Sequence, residues 1–182
     1  LSLLTRKNIA FPIPVIAKGF ELFAKERPCG IMLCSVHLPL VKVAIRYLVE
    51  NGYAPKAAIA GAHHQITAVA LWGSTQTIPA IATGPTVLIK MRTILLEGAT
   101  MVVLVDGAYG ESISPNTFLL ANQLNADIVF FLAELLPGGT IEVSFYESCV
   151  ARSGLVANEA CKQQVKELEE YAKRIVCNYH KN

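Results

Sequence analysis

Short apolar runs alternate with amphipathic stretches along most of the chain, and that alternation predicts a parallel β-sheet flanked by helices. The runs at 30–34, 56–60, 78–82, 100–105 and 128–132 read as buried strands; 100–105 is the clearest, a β-branched-rich segment ending in Asp106-Gly107. The intervening segments carry helical spacing. Over 14–26, Ile16, Phe20 and Phe23 fall on one stripe. Over 39–51, Val41, Ile45 and Leu48 share a face, with Pro39 in the first turn and Gly52 as the stop. Further helices are expected over 64–72, 85–97, 115–124 and 158–179. After the turn Pro137-Gly138-Gly139, residues 140–146 alternate apolar and polar side chains, as an exposed edge strand does.

The expected fold class is therefore α/β: a doubly wound, mostly parallel, flavodoxin-like three-layer sheet with a C-terminal edge strand and a long C-terminal helix. One domain over 1–182 is expected, with 138–182 able to serve as an appendage that packs on a neighbouring subunit. At this length a chain buries about 70% of its unfolded surface and needs no staple to fold.

Composition sharpens this picture. Hydrophobic residues make up 53% of the chain and charged residues 16%, against about 25% charged in average soluble domains. The deficit predicts surface hidden from water, and a homo-oligomer is the simplest soluble answer. A membrane span is not expected. The longest stretch without Asp, Glu, Lys or Arg, 57–89, is broken by His63, His64, Gln65, Gly73, Pro79 and the Gly84-Pro85 pair, short of the roughly 20 consecutive apolar residues a helix needs. The N-terminal apolar stretch, interrupted by Pro12, Pro14, Lys18 and Glu21, makes a poor signal peptide. A net charge of +2 with interspersed signs gives no concentrated basic face for nucleic acid. The cysteines at 29, 34, 149, 161 and 177 are odd in number and widely spaced, so reduced, mostly buried thiols of a cytoplasmic protein are expected.

Candidate chemistry concentrates at the carboxyl ends of the expected strands, where open α/β sheets bind ligands. Ser35 and His37 follow the first strand, His63 and His64 the second, Thr83 to Thr86 the third, and Asp106, Gly107, Tyr109, Glu111 and Ser112 the fourth; Glu134 follows the fifth. Imidazoles titrate near neutrality and suit proton transfer or metal ligation; each also suits a helix cap or an interface. Thr83, Gly84 and Thr86 lie where a helix N-terminus would offer main-chain N–H groups to an anion, or would simply be capped. Asp106 is expected at the end of a central strand beside Thr83 and Gly84, as a base, ligand or substrate anchor or as an Asx-turn residue. The loop after it, with glycines either side of Tyr109, suits closure on a ligand. Cys34 reads as a structural thiol despite its nearness to His37. Neither a P-loop nor a dinucleotide fingerprint is present.

Gly30-Ile31, Ser35, Leu38-Pro39, Ala44, Leu48, Gly52 and Ala62-His63, with the helix at 116–126, cover roughly a third of the chain. At these positions the chain resembles the AIR carboxylase family, the carboxyaminoimidazole ribonucleotide mutases. The resemblance implies the α/β fold, contact between Ser35 and a ligand phosphate, and His63 as the proton-transfer residue. The chain departs from the family in having no aspartate within 34–37, a second histidine in Ala62-His63-His64 where the family has arginine, and no glycine-rich substrate loop.

Together these features lead to the expectation of an enzyme or binding domain acting on an anionic metabolite, phosphorylated ones included. His37, His63, Asp106 and Glu111 are its acid–base candidates, and Ser35, Thr83, Gly84, Thr86, Gly107, Tyr109 and Ser112 its ligand contacts. Two alternatives stand beside it: a metal-dependent lyase or hydrolase with histidine and aspartate ligands, and a non-catalytic oligomeric regulatory or assembly subunit. The sequence names no cofactor.

Overall fold

The computed structural model describes residues 13–59, 67–82, 84, 86–106, 113–150 and 157–179. In chain order the elements are β1 (Val15–Lys18), a 3₁₀ helix (Phe20–Ala24), β2 (Ile31–Ser35), α1 (Val41–Glu50), β3 (Lys56–Ile59), β4 (Ala68–Ala70) and β5 (Thr77–Ala82). There follow α2 (Val87–Leu96), β6 (Met101–Leu104), α3 (Asn116–Leu124), β7 (Asp127–Leu135), β8 (Ile141–Glu147) and α4 (Ala157–Tyr179).

All the strands join one sheet, ordered β1-β8-β7-β2-β6-β3-β5-β4. Strands β7, β2, β6, β3 and β5 run parallel, whereas β4 and β8 pair antiparallel with their neighbours β5 and β7. The fold is thus an α/β sheet, mostly parallel, as the apolar runs predict. Its parallel strands, numbered by appearance, lie in the order 5-1-4-2-3, which differs from the 2-1-3-4-5 of flavodoxin-like sheets.

Alternating side chains of the buried strands feed two separate cores. Leu33, Val102 and Val129 point to one face, where Val41, Ala44, Ile45 and Leu48 of α1 cover them. Met32, Cys34, Val103 and Phe130 point to the other, against Met91 and Leu95 of α2, Phe118 of α3 and Leu168 of α4. Each large side chain buried in this way contributes about 1.5–3 kcal/mol by removal from water, and that apolar sandwich holds the strand ends in register.

Three local expectations fail for identifiable reasons. Residues 14–26 form β1 and a short 3₁₀ helix rather than one α-helix. Val15 and Ile16 are β-branched and pair with β8, and Gly19 takes a left-handed φ of 73° that ends the strand. A Cβ at Gly19 would sit 2.0 Å from the carbonyl oxygen of Phe145, so only glycine allows β8 this close. Within 64–72 the described part is the strand β4, hairpinned onto β5 through the turn at 71–76, where Leu71 N–H donates to Gln76 at 3.2 Å. Strand β8, expected at the sheet edge, lies second from it: β1 covers its outer side and leaves Ile141 to Phe145 buried.

Candidate functional site: an Asp–His pair at the switch point

The chain leaves β2 for α1 on one face of the sheet and leaves β6 for α3 on the other. Because β2 and β6 are neighbours, with Ser35 opposite Leu104, their outgoing connections part company at their carboxyl ends. This is the topological switch point, the crevice where open α/β sheets place ligands.

His37 and Asp106 meet there. Val105 N–H donates to the carbonyl of Ser35 at 2.9 Å, carrying the β2–β6 ladder one step beyond the strands. The next residues on the two sides then face each other. The main-chain N–H of His37 donates to both Asp106 oxygens, at 3.0 Å to Oδ1 and 2.9 Å to Oδ2, and the ring Nδ1 lies 2.8 Å from Oδ1. The Asp106 side chain is 8% exposed and that of His37 42% exposed. A buried carboxylate thus holds an imidazole that reaches solvent. With the carboxylate accepting at Nδ1, the neutral ring carries its proton there and its lone pair on Nε2. Ser114 N–H donates to the Val105 carbonyl at 2.9 Å.

The other expected residues are distributed unevenly around the pair. Ser35 is fully buried, and its hydroxyl donates to the Val36 carbonyl at 3.4 Å. Gly84 and Thr86 flank the start of α2 after β5; β3 lies between β5 and β6, so the Asp106 position is central as expected but not beside Gly84. Thr86 is exposed, and its side chain makes no capping bond to α2. Among the described residues, nothing lies within 4 Å of where a Cβ on Gly84 would be. His63, His64, Thr83, Gly107, Tyr109, Glu111 and Ser112 lie outside the described residues.

Cys34 is fully buried, and burial pushes its thiol far above the usual range, which suits a structural residue rather than a nucleophile. All five cysteines are free: Cys34 and Cys161 are buried, Cys29 is half-buried and Cys149 and Cys177 are exposed, fewer in the core than the sequence suggests. Among the described residues, no three His, Cys, Asp or Glu side chains are grouped as a metal site would need, and no helix is long and apolar enough to cross a membrane. Sequence reasoning passed over one polar region, the Glu142 and Arg174 surroundings under α4. The alternation at 140–146 was its only signal, and that pattern also describes a plain edge strand.

No protein-family model matches the chain, and no curated protein matches it in sequence.

Proposed function

We propose that the chain is a small-molecule enzyme in which His37 is the general acid–base group, Asp106 sets its tautomer, and an anionic metabolite occupies the crevice between β2 and β6. The observation that carries this reading is the 2.8 Å contact between Nδ1 of His37 and Asp106 at the switch point. With Nδ1–H held by the carboxylate, Nε2 takes the substrate proton, and the buried negative charge stabilises the imidazolium that forms. Such a group typically contributes about 10²–10⁴-fold in rate. An anionic ligand is favoured because α1 and α3, which follow β2 and β6, begin at this rim without a side-chain cap, so the positive ends of their dipoles lie there. The free thiols suit a reducing, cytoplasmic setting.

The test is to incubate the protein with a fractionated small-metabolite extract and follow consumption and appearance of ions by mass spectrometry. Conversions present with the parent and lost in His37→Asn support the reading; conversions that survive His37→Asn and vanish in His63→Asn favour the residue implied by the AIR carboxylase resemblance instead.

A metal-dependent lyase or hydrolase is the second reading, favoured by the same contact, since a carboxylate on Nδ1 is also how a histidine is oriented to ligate a metal through Nε2. Elemental analysis finding a stoichiometric transition metal, lost in His37→Asn, would select it. Self-association belongs to either reading: Leu88, Ile89 and Leu96 of α2 are exposed, and light scattering is expected to give at least a dimer. A monomer mass at micromolar concentration would overturn that part, and an oligomer without any ligand-dependent change at His37 would favour a non-catalytic assembly subunit.

A further inference from the structure

The sheet ends at β1 on one side and at β4 on the other, and the two edges are built differently. An edge strand exposes a row of unpaired main-chain groups, which proteins ordinarily blunt with charged side chains or proline. β1 has both: Pro14 precedes it and Lys18 closes it. β4 has neither. Thr67-Ala68-Val69-Ala70-Leu71 is uncharged, and no Asp, Glu, Lys or Arg occurs anywhere in 57–89.

The ladder to β5 fixes which groups of β4 are open. Ala80 N–H donates to the Thr67 carbonyl at 2.8 Å and Leu71 N–H to the Gln76 carbonyl at 3.2 Å, with Val69 opposite Ile78 between them. Residues 67, 69 and 71 therefore direct their main chain at β5, and Ala68 and Ala70 direct their N–H and C=O groups outward. Among the described residues, no strand pairs with that outer side. The side chains are sorted in the same way. Val69 packs against the core on the α1 face. Ala68 and Ala70 turn to the other face, where they are exposed, as are Thr77 and Pro79 opposite them on β5.

From this geometry we infer that β4 is where two copies of the chain join, each β4 antiparallel to the other about a two-fold axis at Val69. In that register Ala68 stands opposite Ala70 of the partner subunit, and the two exchange both hydrogen bonds, because both turn their main chain outward. The same exchange repeats on the other side of the axis. The two Val69 side chains meet at the axis as a close, non-hydrogen-bonded, β-branched pair, and the two sheets become one. A second copy fits this edge better than a foreign peptide does. Strand addition gains its selectivity from pockets for alternate side chains, and the outer-face residues here are two alanines. A two-fold pairing needs no such reading and closes on itself. The inference rests on the self-association expected above and assigns it a surface; it does not depend on the role of His37.

The experiment is sedimentation velocity of the full chain over a concentration series beginning at micromolar. The parent is expected to be a dimer. Ala70→Pro removes an outward N–H that the isolated subunit does not use, a position where an edge tolerates proline, and should weaken the dimer by about tenfold to a hundredfold. Ala68→Lys with Ala70→Lys places like charges opposite each other across the axis and should give monomers. Ala68→Glu with Ala70→Lys places opposite charges there and should restore the dimer. On the parent alone, amide exchange at Ala68 and Ala70 should slow as concentration rises. A monomeric parent would overturn both this inference and the self-association it rests on. A dimer that survives Ala70→Pro and both double variants but is lost in Ile89→Lys, on the exposed face of α2, would overturn the β4 interface and leave self-association standing. So would a dimer whose Ala68 and Ala70 amides exchange at the same rate at every concentration, a result that requires no variant to fold.

Discussion

Asp106→Asn isolates what the carboxylate does for His37. The replacement has nearly the same shape, so it keeps one oxygen to accept the His37 main-chain N–H. It also turns an NH₂ donor on part of a site where the carboxylate accepts three contacts, at 3.0, 2.9 and 2.8 Å. If the amide oxygen stays on the main chain, its NH₂ faces Nδ1, which must then become an acceptor and pass its proton to Nε2. Hydrogen bonds to charged groups are worth about 1.5–3 kcal/mol each. Losing one and weakening another should cost about 2–4 kcal/mol, within the 5–15 kcal/mol that typical domains possess. The variant should therefore fold, with a lower midpoint in urea. The direct assay is long-range ¹H–¹⁵N NMR of the neutral form of the imidazole. The parent should show the proton on Nδ1 and the variant should show it on Nε2. A parent already protonated at Nε2, or a variant with the same tautomer and the same stability, would refute the reasoning.

Other consequences follow from the packing. Gly19→Ala must both hold a left-handed φ and displace the Phe145 carbonyl; strain and overpacking of about 1–3 kcal/mol each give a loss of roughly 2–6 kcal/mol in denaturant unfolding, and a loss near zero would mean that β1 does not pack as described. The Glu167 carboxylate beside Cys149 pushes that thiol above its ordinary value, so Glu167→Gln should speed its reaction with a disulfide reagent at neutral pH, while Cys34 stays unreactive until the protein unfolds. Lys18 holds its proton more tightly in the folded chain through its bond to Glu142, and Tyr171 does so through burial. The folded state then binds more protons than the unfolded one, so this part of the stability is complete below the ordinary values of 10.0 for the tyrosine and 10.5 for the lysine and is lost as pH rises through the raised ones. Unfolding free energy should fall at alkaline pH, less steeply in Lys18→Met; an equal slope in the two proteins would remove Lys18 from the explanation.

The parts of the fold legible in the sequence were those whose signals are local. The runs at β2 and β6 are apolar, with Val102 and Val103 β-branched in β6, and α1 is bracketed by Pro39 and Gly52, so their identity needs no distant partner. The misread elements depend on one. Strand β1 looks helical by the spacing of Ile16, Phe20 and Phe23 and becomes a strand because β8, far along the chain, offers it a ladder. β4 lies in an alanine-rich segment with little preference of its own, and its pairing with β5 decides it. The same division holds at the site. That His37 and Asp106 each follow a strand could be read directly. That they touch could not, because 69 positions separate them and only the insertion of β6 beside β2 brings them together. The burial of Glu142 was hidden because the alternation at 140–146 reads as an edge strand with that residue turned outward.

The most direct test of the central claim is NMR titration of the ¹⁵N-labelled chain with a panel of small anionic metabolites, phosphate esters and carboxylates, following main-chain amides and imidazole nitrogens together. The account predicts at least one ligand whose largest shifts fall on the amides of His37 and Asp106 and on Nε2 of His37, with binding weakened in His37→Asn. Ligand-induced shifts gathered elsewhere on the chain, with the His37 and Asp106 signals unmoved by every anion tested, would contradict it.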